Sequence, residues 1–247
     1  KAVRMKLTTK PGGKTVSLTK RNFLASGGQG EFYVIGGRAY KVYHDPKNMI
    51  PTGKIASLQG IRNPNVIKPE AVLCNSKGKP VGYDMRFIKD AWTACQLFPK
   101  AFRNRNGFSP DKAAHLVTDL RAMVADVHQA GVLIVDLNEM NLLVARDFSE
   151  VYGIDADSYQ TSQYPATVIM PSVMDPKVRG NDFTEMSDWF SFGIVAFQML
   201  GGIHPFKGKH TGFTGPDKLK ARMEAGVSVF NKDVRVPKAV LPFDVIP

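Results

Sequence analysis

Three oxygen-bearing side chains mark the second half of this 247-residue chain: Asp136, Asn141 five residues on, and Asp155 fourteen residues after that. Asp136 and Asn141 fall in a polar loop between two apolar runs, and Asp155 follows Val151-Tyr152-Gly153-Ile154. At the ends of short predicted strands, such oxygens can converge on a hard cation such as Mg²⁺. The first half holds complementary chemistry. Leu24 to Tyr33 sets Gly27, Gly28 and Gly30 between two predicted strands, where bare backbone amides can cradle phosphate oxygens. Lys41 follows on the next strand and can reach back to the same oxygens. Each feature alone has an ordinary explanation: turn glycines, a lysine stem lying along apolar surface, aspartates capping turns. Their succession along one chain points to phosphate and metal chemistry.

The elements that must position these groups differ between the halves. From Val3 to about Ile88, short alternating runs (Thr15 to Leu18, Glu31 to Ile35, Arg38 to Tyr43, Val81 to Met85) are punctuated by Gly12-Gly13, Gly36-Gly37 and Gly78. That is the pattern of an antiparallel sheet with hairpin turns. One helix is predicted within it, from Thr52 to Gln59, ending at Gly60. After Ile88 the period lengthens. Ser109 and Pro110 open a helix carrying Ala114, Val117, Leu120, Ala122, Val124 and Val127 up to Gly131, and a second helix is predicted from Ser187-Asp188 to Gly201-Gly202.

Composition narrows the class. A chain of this length buries enough surface to fold without disulfides or metals, and Cys74 and Cys95, in no CxxC pair, read as two free thiols of a reducing compartment. Lys and Arg number 33 against 22 Asp and Glu, a net charge of +11. The basic residues are scattered and carry few aromatics between them, the pattern of a solvated face rather than of a nucleic-acid-binding surface; an acidic protein partner is the expectation. No apolar run is long enough to span a bilayer and the first residues lack a signal-peptide core, so the reading is of a cytoplasmic protein without membrane attachment. The chain starts at Lys1 rather than Met, which leaves open that it is a segment of a longer protein.

From about Phe23 to Phe206 the order and spacing of these residues resemble a protein kinase domain. Gly27 and Gly30 match the Gly-rich loop, with Ala25 at its first glycine and Phe32 at its valine. Lys41 matches the strand-three lysine, Asp136 and Asn141 the catalytic-loop aspartate and asparagine, and Asp155 the metal-binding aspartate of the DFG element. The stretch from Ser187 to Gly193 and on to Phe206 is similar to the long buried helix of the second lobe, whose aspartate, here Asp188, braces the catalytic loop. Asp157-Ser158-Tyr159-Gln160 resembles an element of some bacterial eukaryotic-like kinases, a divergent bacterial or phage-type branch.

The resemblance implies an α+β, two-lobed fold: a small antiparallel β lobe with one helix over residues 1–88 and a larger, mainly helical lobe over 89–247. It implies transfer of phosphate from ATP to protein Ser or Thr hydroxyls, with Mg²⁺ or Mn²⁺ held by Asn141 and Asp155. Asp136 and Lys41 would be the catalytic pair. Ala25, Gly27, Gly28, Gly30, Phe32, Lys41, Met85 and Phe87 would line the nucleotide, with the adenine near Met85 to Lys89. Two alternatives share the fold: a pseudokinase that binds nucleotide or a partner without turnover, and a small-molecule phosphotransferase.

The chain also departs from the family. Ile134 and Val135 replace the catalytic-loop histidine and arginine, so phosphorylation of the following segment is not the expected switch, although Ser158, Thr161, Ser162 and Thr167 are candidate modification sites there. Asn138 replaces the catalytic-loop lysine, and Met170-Pro171-Ser172 stands at the APE element without its glutamate. No glutamate lies between Glu31 and Glu70, so the predicted helix offers Lys54 or Gln59 where the partner of Lys41 should be. Asp157 takes the place of the DFG glycine and is read as a turn residue, with a metal oxygen as the alternative.

Overall fold

In the computed structural model, which describes residues 5–238 and 240, the period-two segments form a seven-stranded antiparallel sheet. Its strands are β1 (Met5–Lys10), β2 (Thr15–Leu18), β3 (Phe23–Ser26), β4 (Gly30–Ile35), β5 (Arg38–Tyr43), β6 (Val72–Cys74) and β7 (Pro80–Arg86), in the order β2-β1-β6-β7-β5-β4-β3. Residues 1–4, 239 and 241–247, which include Val3 and both outer ends of the expected lobes, lie outside the described residues. The chain divides into two compact units, Lys1–Lys89 with Asp155–Asp157, and Asp90–Ile154 with Ser158–Pro247.

In the first unit, alternation along β5 sends Tyr40 and Val42 into a core with Leu7, Val16, Leu18, Tyr33, Leu73 and Val81. Lys41 and Tyr43 therefore take the opposite face, where Tyr43 and Tyr83 pack with Ile55 of α1 (Thr52–Leu58). The strands on either side approach β5 closely at two glycines. A Cβ at Gly82 of β7 would collide with the Lys41 carbonyl oxygen, and one at Gly30 of β4 with that of Val42. Gly30 thus has a packing reason to be glycine, while Gly28 at the hairpin tip faces open space.

The second unit contains a three-stranded sheet of β8 (Ala91–Thr93), β9 (Leu142–Ala145) and β10 (Val151–Gly153), in the order β10-β9-β8. Its helices among the described residues are α2 (Lys100–Asn106), α3 (Pro110–Gln129), α4 (Glu185–Gly201) and α5 (Lys218–Ala225). Ser109 caps α3 through Lys112 N–H and Pro110 occupies its first position. The buried stripe of α3 is Ala113, Leu116, Leu120, Met123, Val124 and Val127, steps of three and four apart from the adjacent Met123 and Val124; Ala122, expected in the stripe, is exposed because it lies two residues past Leu120. α4 begins before the expected Ser187, because Thr184 is its N-cap and exchanges hydrogen bonds with Ser187 in a capping box.

α2 carries no long apolar stripe, and what it supplies is a side chain. Arg103, 4% exposed, donates to the Gln198, Met199 and Leu200 carbonyls at the C-terminus of α4. A cation there satisfies the orphan acceptors and opposes the helix dipole. Cys74 and Cys95 are free thiols. No helix among the described residues is long and apolar enough to cross a membrane.

Candidate active site

The Gly-rich hairpin joins β3 to β4, with Ser26 paired to Glu31 and Gly27 N–H donating to the Gly30 carbonyl at 2.8 Å. Residues 23–29 are all exposed, Ala25, Gly27 and Gly28 included, so the hairpin owes its position to β4 rather than to burial. Phe32 of β4 sits directly across from Lys41 of β5, and Tyr83 of β7 flanks Lys41 on the other side.

Lys41 is 7% exposed, and its Nζ donates to Asp157 Oδ2 at 2.9 Å and to Gln29 Oε1 at 3.4 Å. The rings of Tyr43, Tyr83 and Phe32 lie 4.9, 5.5 and 5.8 Å from the same nitrogen, an environment that favours the cation. Burial works to lower the Lys41 pKa, but the charge and hydrogen bond of Asp157 outweigh it and hold the ammonium above its ordinary value. For Asp157, burial pushes upward, and Lys41 together with a hydrogen bond from Tyr83 brings the carboxyl below the usual range.

The partner of Lys41 is therefore Asp157, and neither side chain expected from the helix serves. Gln59 donates its amide to the carbonyls of Ile55 and Pro69 at 2.8 and 2.7 Å. Lys54, a cation itself, is buried on α1. Asp157, expected as a turn residue, lies in the 3₁₀ turn Ala156–Ser158 and in addition supplies this pair. The pairing spans 116 residues, so no local pattern announces it. Asp155, two residues earlier, is exposed at its position after β10 and holds φ at 66°, a left-handed backbone unusual outside glycine. Met85 packs beside Tyr43 and Tyr83, while the Phe87 N–H is taken by the Gly37 carbonyl at 3.0 Å.

In the second unit, the loop before β9 is built around Asp188, which is fully buried on α4. Its carboxylate accepts from Ile134 N–H at 2.7 Å, Val135 N–H at 2.8 Å and the His128 ring at 2.9 Å. Those bonds hold Val135 at φ 65°, a strained conformation for a β-branched residue. The apolar side chain in turn packs with Ala166 and Phe183, joined by Leu133, Ile169 and Val178. Asn138, 1% exposed, accepts from Met140 N–H and Asn141 N–H and donates to the Asp136 carbonyl; it shapes the loop.

Asp136 receives Met170 N–H on Oδ1 at 2.7 Å, and the Asn141 amide lies 3.4 Å from Oδ2 and 3.1 Å from the Asp136 carbonyl. With its nitrogen so used, Asn141 has its amide oxygen left as a hard donor. The segment from Met170 to Ser172 lacks an acid and is anchored otherwise: His204 bonds the Ser172 carbonyl at 2.7 Å and Ser191 the Val173 carbonyl at 2.7 Å. Of the four candidate modification sites, Thr161 is buried, whereas Ser162 and Thr167 are exposed.

No protein-family model matches the chain. Curated relatives do. The chain is 25% identical over 206 residues to protein kinase YegI of Escherichia coli K12, covering 75% of this chain and 32% of that protein. It is 25% identical over 219 residues to serine/threonine-protein kinase sgk-1 of Caenorhabditis elegans (79% of this chain, 45% of that one) and 28% identical over 148 residues to the probable kinase PknB of Lactococcus lactis (57% and 23%). The chain thus spans less than half the length of these relatives. Among solved structures, the ROP18 kinase domain in complex with AMP-PNP and sucrose matches 82% of this chain and 69% of its own at a TM-score of 0.55 and 15% identity. The relatives are named as protein kinases and the fold matches a kinase domain, so the chain has a divergent protein-kinase-like fold.

Proposed function

We propose that this domain transfers the terminal phosphoryl group of ATP to Ser or Thr hydroxyls of a protein. The observation that carries the reading is the Lys41–Asp157 pair, 2.9 Å apart with side-chain exposures of 8% and 13%. Removing two charges from water is costly and a buried pair adds little net stability, so its presence supports a role beyond the fold. A buried ammonium on a rigid strand, kept charged by its partner, is a fixed phosphate ligand.

The other roles follow from the chemistry of each group. Amides of the Gly-rich hairpin other than that of Gly27, which bonds the Gly30 carbonyl, act with Lys41 to hold phosphate oxygens, and the open space around Gly28 leaves room for them. Ala25, Phe32, Met85 and Phe87 line the nucleotide; with the Phe87 N–H committed to Gly37, a base would be bonded through other backbone groups of that segment. Asp136, oriented by Met170 N–H, positions the acceptor hydroxyl and takes its proton. Asp155 and the Asn141 amide oxygen are the hard donors for Mg²⁺ or Mn²⁺, which when bound neutralises phosphate charge. Positioning and electrostatics dominate such transfers, so a relocated ion pair suffices. With a net charge of +11, acidic proteins are the expected acceptors, and the cytoplasm the expected setting.

The test is intact-mass spectrometry after incubation with ATP and Mg²⁺ or Mn²⁺, with casein as acceptor and an Asp136→Ala control. Phosphate gained by the domain or casein and absent with the variant is the expected result. Gain in neither, with ATP still bound, would favour binding without turnover.

A further inference from the structure

α1 is a short helix with water available to it: Thr52, Ala56 and Ser57 are exposed, and Ile55 and Leu58 point inward. A lysine in such a helix ordinarily extends its ammonium to solvent along its flexible stem. Lys54 does not; it is 6% exposed, next to Ile55 on the inward side. Among the described residues its ammonium has neither a hydrogen bond nor a close ion pair. The charges that act on it are those of Asp157 and Asp155. The first of these is engaged by Lys41.

We propose that Lys54 is a second phosphate-binding cation of the first unit, donating to a terminal phosphate of the bound nucleotide from α1 as Lys41 does from β5. This rests on the nucleotide-binding reading above. Lys54, Lys41, Asp155, Asp157 and the Gly27–Gly30 hairpin all belong to the same compact unit. Together the four charged side chains sum to zero, so a polyanion entering their vicinity meets two ammonium groups, only one of which already has a bonded carboxylate.

An ammonium carries three donors and no acceptor. Burying it without bonds is costly, and burial duly draws the Lys54 pKa below its ordinary value despite both aspartates. Phosphate oxygens are the acceptors that would satisfy it with charge-assisted bonds. A metal ion cannot itself be the partner of an ammonium, and the two carboxylates are present without bonding it.

The experiment is calorimetric titration of the domain with ATP and with adenosine, in Mg²⁺, for wild type, Lys54→Met, Lys54→Gln and Lys54→Arg, each first melted without nucleotide to establish folding. Methionine fills the lysine's volume without its charge, and glutamine gives a second neutral variant should the first not fold. The expected result is ATP affinity weakened about tenfold or more in Met and Gln, adenosine affinity within about twofold of wild type, and most of the ATP affinity kept in Arg. ATP affinity unchanged in the neutral variants overturns the assignment and leaves the nucleotide reading standing. Equal weakening toward ATP and adenosine makes Lys54 structural and overturns it too. A folded wild type that binds no ATP overturns both.

Discussion

Lys41 and Asp136 are held in contrasting ways. Lys41 sits on a strand clamped between two others, but its ammonium is aimed by one side chain, Asp157, that arrives from 116 residues away. Asp136 sits on an irregular loop whose backbone is pinned by one buried carboxylate, Asp188, and laced by Asn138 and Met170. One group is placed by side-chain electrostatics on rigid backbone, the other by backbone hydrogen bonds on a strained turn. The difference teaches that a substitution at the α1 position can be absorbed where a charge can be supplied from elsewhere. Loss of a side chain that bonds several amides at once cannot be.

The sharpest break of this contrast is Asp188→Ala. It strands two buried N–H groups and releases the Val135 turn, and the expected loss is about 3–5 kcal/mol of unfolding free energy in urea. A loss below about 1 kcal/mol would show that the loop is held by something else.

His204 tests the same unit through pH. Burial, aided by Lys207 and Arg222 and opposed by the Ser172 carbonyl, lowers its pKa to about 4, and its Nδ1 accepts from Phe206 N–H, which needs the neutral ring. Only the unfolded chain takes up this proton between its ordinary value near 6.5 and 4. The stabilisation is therefore complete above the higher value and is lost as pH falls, by roughly 3 kcal/mol in all. Urea midpoints compared at pH 7.5 and 4.5 should fall less in His204→Gln than in the wild type; equal falls would refute the linkage.

In the first unit Asp157→Asn removes the charge but keeps an acceptor. Because Asp155 still acts on Lys41, the expected cost is smaller, about 2 kcal/mol, with phosphoryl transfer down about 100-fold. Asp157→Asn that kept full transfer would show that Lys41 needs no carboxylate. The smallest effect sharpens the comparison: Thr184→Ala removes the α4 cap for about 1 kcal/mol, and transfer should be unchanged if the loop depends on Asp188 rather than on helix stability at large.

Much of the fold was legible because it is written locally. Period-two runs with glycine turns announce β2, β4, β5 and β7, and Ser109-Pro110 opens α3 in plain view. α2 and α5 are short and polar, and β6 and β8 have three residues each, too few to show a period. At the candidate site, the residue types and their order could be listed from the chain alone, and the departures at Val135 and Asn138 too. Their replacements could not. Asp157 beside a turn has the spacing of a turn residue, and only the third dimension brings Lys41 to it. Val135 reads as a missing arginine until its contacts with Ala166 and Phe183 are seen.

The bare backbone at Gly82 carries a consequence for how such domains change over generations. Any side chain there would push on the backbone carbonyl at position 41, so the glycine is required by the strand itself, whatever side chain that position carries. Descendants that keep the pairing of β5 with β7 should therefore keep this glycine whether or not they keep the lysine. Relatives in which the glycine persists while the lysine is gone would be domains that retain the shape without the phosphate chemistry.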